Sequence, residues 1–546
     1  MPIVDPSSLI NQLTYDPSNP LLFNNGFFVY FFTAFITLYY LFRNHFTIRR
    51  YIFCFFSLYF FYKASGFFVA LVIISAVVDY FLSNAIHRQQ NSGKKKILLL
   101  TSIVFNLGML VYFKYTNFFI SLSNDLFQTG FNPLNILLPV GISFYTFENL
   151  SYTIDVYRGH FEPARKFSDY LLFLSFFPKL VMGPIVRAND FVPQINKPFR
   201  ISDRDFSTGF YLILTGLFKK MIISDYLTLN YVNYIFDDPG RYTGIENLTA
   251  VYAYAAVIYC DFSGYSDVAI GIARWLGFHI PTNFISPYQS TNITEFWRRW
   301  HMSLSSWLKD YLYIPLGGNR RGSIGTILIS TLFFGSLYYL FREYFGLSIL
   351  ISMLLVALLG LVFWIPALAK KGSSNGATNF NLLSTMLIGG LWHGASLNFL
   401  LWGALHGIGL AFHKCWLLIF PASSSENRST GIYGIIAGLI TFHFVCFCWI
   451  FFKSSGFDQA VVMIGQITGN MDLSVVADFF LNYHNVLYML ALAIVLHLLP
   501  DSWQNRMTEK SGKIPFVIYF LLFMAFLFLY GYFKSAEPVL PIYLQF

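Results

Sequence analysis

TEFWRRWHMSLSSWLKDYLYIPLGGNRRG, residues 294–322, places two arginine pairs, a histidine and a Lys-Asp pair among three tryptophans, in a chain only 12% charged. Asn292 and Glu295 have the spacing of a capping box, and Pro315 marks a stop, so the stretch predicts a helix. Trp297, Trp300, His301, Leu304, Trp307, Leu308 and Tyr311 share one face at helical spacing, while Arg298, Ser305 and Lys309 take the other. Such a helix is too polar to cross a bilayer. It is expected along the membrane interface, its aromatic face turned toward the protein interior. Arginines that only snorkel to water would account for its polar side. His301 does not fit that account, because it falls on the apolar stripe, where a polar group needs a partner or a job.

The rest of the chain explains the setting. Of 546 residues, 56% are hydrophobic and 20% aromatic, with 63 Phe and 36 Tyr, far from the roughly one-quarter charged content of soluble domains. Apolar runs long enough, or nearly so, for about 30 Å of hydrocarbon recur at Phe27–Phe42, Phe67–Leu82, Ile97–Phe113, Tyr433–Phe452 and Ile514–Phe533. These features predict an all-α polytopic membrane protein with about a dozen membrane-depth segments and no separable soluble domain: one membrane-embedded unit over 1–546. The N-terminal twenty residues lack a basic n-region, so a cleaved signal is not expected. Cys54, Cys260, Cys415, Cys446 and Cys448 are scattered through apolar segments and fit packing better than disulfides or zinc.

The net charge of +9 comes from short basic loops beside the spans, among them Arg49-Arg50, Lys94–Lys96, Arg320-Arg321 and Lys370-Lys371. That is the positive-inside pattern. It assigns these loops to the cytoplasm and the N-terminus outside, with a hairpin over Tyr51–Leu82 turning near Lys63–Gly66, and gives no reason to expect nucleic acid. Between about 138 and 409 the pattern changes, as Gly, Pro, carboxylates and histidines enter the hydrophobic runs. Polar backbone at membrane depth survives only inside protein or along a cavity, so this middle region is the expected catalytic core.

GGLWHGASLNFLLWGALHG, residues 389–407, supplies the second histidine of interest, His393, next to small residues that let helices approach closely, including Gly403 and Gly407. His406, His413, His443 and His497 are equally able to be structural hydrogen-bonding groups. A neutral imidazole suits proton removal from an attacking hydroxyl near neutral pH, and acyl transfer is the chemistry that fits two of them best. No HExxH, GxSxG, phosphate-binding loop or dinucleotide fingerprint occurs, and no metal site is expected. DFSGYSD, residues 261–267, offers serines and carboxylates, but a glycine-loosened helix with buried hydrogen bonds explains it better than a nucleophile does.

Glu295–Gly322, Leu387–Gly407, Asp261–Gly271, Met182–Arg187 (MGPIVR) and Leu137–Phe147 (LLPVGISFYTF) together resemble the bacterial branch of the membrane-bound O-acyltransferase family, and within it the alginate and peptidoglycan O-acetylation proteins. The resemblance implies a ring of transmembrane helices around a thinned centre, where cytoplasmic and extracellular funnels meet. It implies His393 as the principal catalytic residue and His301 as the second. It also implies acetyl-CoA as the donor substrate, with no bound cofactor, an extracytoplasmic polysaccharide acceptor, a partner acetyltransferase of the serine-hydrolase type, and the bacterial inner membrane as location. Arg298, Arg299, Arg320 and Arg321 are the basic groups nearest His301 in sequence, available either for the phosphates of CoA or for positive-inside anchoring; Trp300 and Asn398 complete the expected substrate-binding set. One departure from the family is the stretch 323–371, which predicts an extra transmembrane hairpin, its two runs separated by Arg342-Glu343. A polysaccharide flippase and a lysolipid or sterol acyltransferase are the competing functions.

Overall fold

A computed structural model describes residues 12–339, 342, 346–369, 376–420, 431–500, 514–533 and 539–542. The expectations that fell on residues 1–11, Glu343, Lys370 and Lys371 lie outside them. Every regular element among the described residues is helical. Four stretches are long and apolar enough to cross a membrane, at Phe46–Arg88, Ser92–Phe127, Asp203–Asp237 and Gly431–Lys453; the bent pair Val476–Asn482 and His484–Leu498 makes a fifth if it counts as one span. Shorter apolar helices include Gly26–Leu41, Ile324–Tyr339 and Val517–Phe533. The chain is a multi-pass membrane protein. Among the segments of mixed polarity, Ile142–Arg158, Gly244–Trp275 and Leu397–Ile419 are helices, whereas Met182–Arg187 is turn and irregular chain.

The chain divides into two compact units. Unit 1 draws its described residues from Met1–Asn230, Ala256–Asn283 and Leu499–Phe546. Its main helices are α1 (Gly26–Leu41), α2 (Phe46–Ser65), α3 (Val69–Arg88), α4 (Ser92–Leu110), α5 (Ile142–Arg158), α6 (Asp203–Leu217) and the part of α7 (Gly244–Trp275) beyond Ala255. Local sequence sets the boundaries. Asn25 and Asn91 cap α1 and α4, and Ser202 with Asp205 forms a complete capping box on α6. The turn expected near Lys63–Gly66 is a break at Gly66, where α2 ends at φ 63°.

Unit 1 is held by apolar burial and by buried ion pairs. Arg50 meets Asp169 at 2.7 Å, and Lys179 pairs with Glu148 on α5. Asp79 accepts from Ser102 at 2.5 Å and from Asn106 at 2.7 Å, in a chain that continues through Asn149 to Tyr170. DFSGYSD belongs to this framework. Asp261 bonds Lys220 at 2.6 Å and the Ile542 amide at 2.9 Å, and Asp267 bonds Lys219 at 2.7 Å. Its glycine lets α6 and α7 touch: a Cβ on Gly264 would meet the Gly216 carbonyl at 2.6 Å, and one on Gly271 the Gly209 carbonyl at 2.6 Å. Side chains are therefore excluded at both crossings, as the structural reading of that motif requires.

Unit 2 comprises the described residues of Tyr231–Ala255 and Phe284–Leu498. Beyond the first part of α7 it contains α8 (Ile293–Arg299), α9 (Met302–Leu308), α10 (Ile324–Tyr339), α11 (Ile349–Ala369), α12 (Gly376–His393), α13 (Leu397–Ile419) and α14 (Gly431–Lys453). The two apolar runs expected to form a hairpin over 323–371 fold as α10 and α11. They pack on α12 and α13 through Phe334, Phe363, Phe380, Leu383, Leu387 and Ala404. Thr326 at the start of α10 donates to Asn381 at 2.6 Å, while the Asn381 amide donates to the carbonyls of Gly318 and Arg321. One side chain of α12 thus fixes both the NRRG loop and the hairpin that follows.

Candidate active site

The single helix predicted from Asn292 toward Pro315 is interrupted. Its start is as expected, with Asn292 accepting from the Glu295 amide at 2.8 Å. The reciprocal half of the box is displaced by one residue, because the Glu295 carboxylate accepts from Thr291. The interruption lies at His301, which adopts the left-handed conformation, φ 41° and ψ 55°, between α8 and α9. For a residue with a Cβ this costs roughly 1–2 kcal/mol. The carbonyls there are satisfied: that of Arg299 accepts from the Ile285 amide, that of Trp300 from the Ser305 hydroxyl, and that of His301 from the Ser305 amide. Extended Trp300 followed by left-handed His301 re-aims the chain within two residues, so the apolar stripe survives. Trp297, Trp300, His301, Leu304, Trp307 and Leu308 are all buried, while Arg298 and Lys309 are exposed.

His301 is 0% exposed. Its ring lies beside Phe284 (6.3 Å between centres) and edge-on to Trp392 (5.8 Å), and Ser303 Oγ is 3.4 Å from Nδ1. Burial lowers its pKa well below the ordinary histidine value, which favours the neutral ring.

His393 ends α12 and is 3% exposed. Helices α12 and α13 form a tight antiparallel pair joined by Gly394–Ser396. Gly403 sits against the Met386 carbonyl and Gly390, and Gly407 against Leu383, so any side chain at Gly403 would collide with backbone. This close approach sets His393 among Trp392 (5.0 Å), Trp402 (4.8 Å) and Phe452 (5.3 Å). The Trp392 ring consequently touches both imidazoles. The structure brings His301 and His393 to one indole from motifs far apart in the sequence.

The remaining expected residues are placed differently. Trp300 is buried in an aromatic cluster with Phe284, Tyr288, Phe296 and Trp449. The Asn398 amide donates to the Ser454 carbonyl at 2.9 Å, tying α13 to the end of α14. Arg299 bonds Glu295 at 3.0 Å and reaches the Ile285 carbonyl. Arg298, Arg320 and Arg321 are exposed. Three of the other histidines have evident hydrogen bonds: His413 with Thr294, His443 with Tyr252, and His497 with the Tyr288 amide. His406 is different. It is fully buried, accepts from Trp297 Nε1, and packs 4.7 Å from the Trp402 ring. Trp402 and Phe452, which wall the His393 ring, read in sequence as ordinary apolar positions; only the i, i+4 spacing of Trp402 and His406 hinted that they share a face.

The electrostatics of unit 2 are distinctive. Among the described residues its buried polar groups are Ser, Thr, Asn and His, with no buried Asp, Glu, Lys or Arg; those lie in unit 1. A proton acceptor working in the buried part of unit 2 near neutral pH is therefore an imidazole, without a buried carboxylate to orient it. Among the described residues no three His, Cys, Asp or Glu side chains converge as metal ligands.

The chain is similar to known proteins over most of its length. The family model described as MBOAT, the membrane-bound O-acyltransferase family, matches residues 58–370. Peptidoglycan O-acetyltransferase of Helicobacter pylori is 31% identical over 429 residues, covering 74% of this chain and 70% of the relative. The probable alginate O-acetylase AlgI of Pseudomonas syringae is 36% identical, covering 76% and 69%. Teichoic acid D-alanyltransferase of Bacillus subtilis is 27% identical, covering 60% and 71%.

Proposed function

Because the chain belongs to the membrane-bound O-acyltransferase family, we propose that it takes acetyl from acetyl-CoA on the cytoplasmic side of the bacterial inner membrane and delivers it toward hydroxyls of an extracytoplasmic polysaccharide. The observation that carries the reading is the meeting of two buried histidines on Trp392 in a unit whose described interior holds no fixed charge. The relatives' names support a polymer acceptor, since they concern peptidoglycan, alginate and teichoic acid. A serine-hydrolase-type acetyltransferase partner on the outer face belongs to the same proposal.

In this reading an imidazole, His393 first, accepts the acceptor's hydroxyl proton as the oxygen attacks the acetyl carbonyl carbon. The carbon–sulfur bond then breaks, and the proton passes to the departing thiolate. His301, which also lies against Trp392, serves the same proton transfer. Aromatic walls exclude water, which favours transfer over hydrolysis.

The test uses detergent-solubilised chain supplied with acetyl-CoA, the partner and acceptor polymer. Thiol release that depends on His393 is expected without any sealed membrane. A transporter would release none, and silence of the complete mixture, with undiminished polymer acetylation in cells lacking the chain, overturns the proposal.

Arg320 and Arg321 supply a second measurement. They sit on the loop that Asn381 fixes to the His393 helix. If this loop receives the CoA phosphates, Arg320→Gln with Arg321→Gln raises the KM for acetyl-CoA on the order of tenfold with kcat unchanged. An unchanged KM with altered insertion assigns them to anchoring.

A further inference from the structure

Within the aromatic wall of His393, two N–H groups have no hydrogen-bond partner among the described residues. Trp402 Nε1 and His406 Nε2 are both buried and both unpaired there, on side chains that are 0% exposed and whose rings lie 4.7 Å apart. The tautomer of His406 follows from its neighbour. An indole N–H only donates, so the bond from Trp297 Nε1 makes His406 Nδ1 an acceptor and leaves the proton of the neutral ring on Nε2. Nearby donors are used: Trp297 on His406, Trp449 on the Tyr288 hydroxyl, and the Asn398 amide on the Ser454 carbonyl. A buried unmade hydrogen bond costs about 1–3 kcal/mol. Two on touching rings, one of them 4.8 Å from the His393 ring, are a feature that packing alone does not require.

Acyl transfer supplies what such a pair lacks. When the acceptor oxygen bonds to the acetyl carbon, the carbonyl π pair moves to oxygen, and the oxyanion needs donors held in place beforehand. We propose that Trp402 Nε1–H and His406 Nε2–H donate to the acetyl oxygen of the tetrahedral intermediate. Collapse of that intermediate returns the pair to the carbonyl, expels the thiolate, and leaves both N–H groups as before. Neutral donors suit this interior, because a resident cation there would have to be desolvated throughout the cycle.

The inference rests on the acyltransferase reading, and its test separates the two. Cells lacking the chain are supplied with variants at matched protein levels, and the initial rate of labelled acetate entering base-labile esters of the envelope polymer is measured. Trp402→Phe removes the N–H but also shrinks the ring. Replacement of Trp402 by 3-benzothienylalanine keeps the bicyclic shape and puts sulfur where the N–H was. Both are expected to lose on the order of 100-fold in rate, the typical cost of one oxyanion donor, and the benzothienyl form should melt no lower than the wild type, since no native hydrogen bond is lost. Recovery of the wild-type rate by the benzothienyl form would mean that Trp402 only packs, and would overturn the inference. A lowered melting temperature for that form would show the N–H already engaged in the resting fold, which overturns it equally. Wild-type chain that adds no esters while His393→Ala behaves identically would instead defeat the acyltransferase reading itself.

Discussion

His393→Ala is expected to lower acyl transfer by about 10²–10⁴-fold, the range for a lost general base, and by more if the imidazole also carries the acetyl group. The loss should be confined to chemistry. His393 is the last residue of α12, after the glycine contacts that hold α12 to α13, and its neighbours Trp402 and Phe452 touch each other at 5.3 Å without it. Size-exclusion and melting profiles of His393→Gln, which retains more of the volume, should overlay those of the wild type while polymer acetylation disappears. A well-folded variant with normal acetylation would remove His393 from the mechanism.

The second large effect is at His301, where backbone and side chain have to be tested separately. His301→Ala forces a Cβ-bearing residue with no compensating polar group into the left-handed region, so a loss of activity alone would be ambiguous. His301→Gly removes the conformational penalty, and His301→Asn keeps a polar residue that tolerates this conformation. If the imidazole takes part in proton transfer, all three lose on the order of 10³-fold, with Gly and Asn melting close to the wild type. Wild-type turnover by His301→Asn would reduce His301 to a hinge.

This hinge also marks the limit of what the sequence conveyed. Helical periodicity identified the buried face from Trp297 to Leu308, because the two-residue break at Trp300 and His301 leaves the stripe buried. For the same reason it concealed the break, and the fused helix it suggested does not exist. The two histidines stood out as polar groups in apolar patterns. The small residues of Gly389–Gly407 announced a close helix pair, and Gly390, Gly403 and Gly407 lie at its contacts. DFSGYSD was legible as structure, though its partners Lys219, Lys220 and Ile542 are tertiary facts. Nothing local distinguished Trp402 and His406 from core residues, since an unpaired N–H is visible only once every possible acceptor has been placed. Likewise the two apolar runs within 323–371 were evident from hydropathy, but their seat on α12 and α13 depends on Phe334, Phe363 and Phe380, which as isolated residues resemble any lipid-facing phenylalanine.

The interior of unit 2, with only neutral groups buried among its described residues, bears on how the proposed reaction meets the voltage across the membrane. Moving one elementary charge through 100 mV changes the energy by about 2.3 kcal/mol, enough to govern a transport step. Here the outward passage of an acetyl group, formally an acylium, is matched by the inward passage of the acceptor's proton to the thiolate, so a complete cycle displaces no net charge. The buried side chains among the described residues of unit 2 add no permanent charge for the field to pull. The proposed turnover is thus electroneutral and driven by the thioester, and if it operates, acetylation is expected to continue in a depolarised cell for as long as acetyl-CoA lasts.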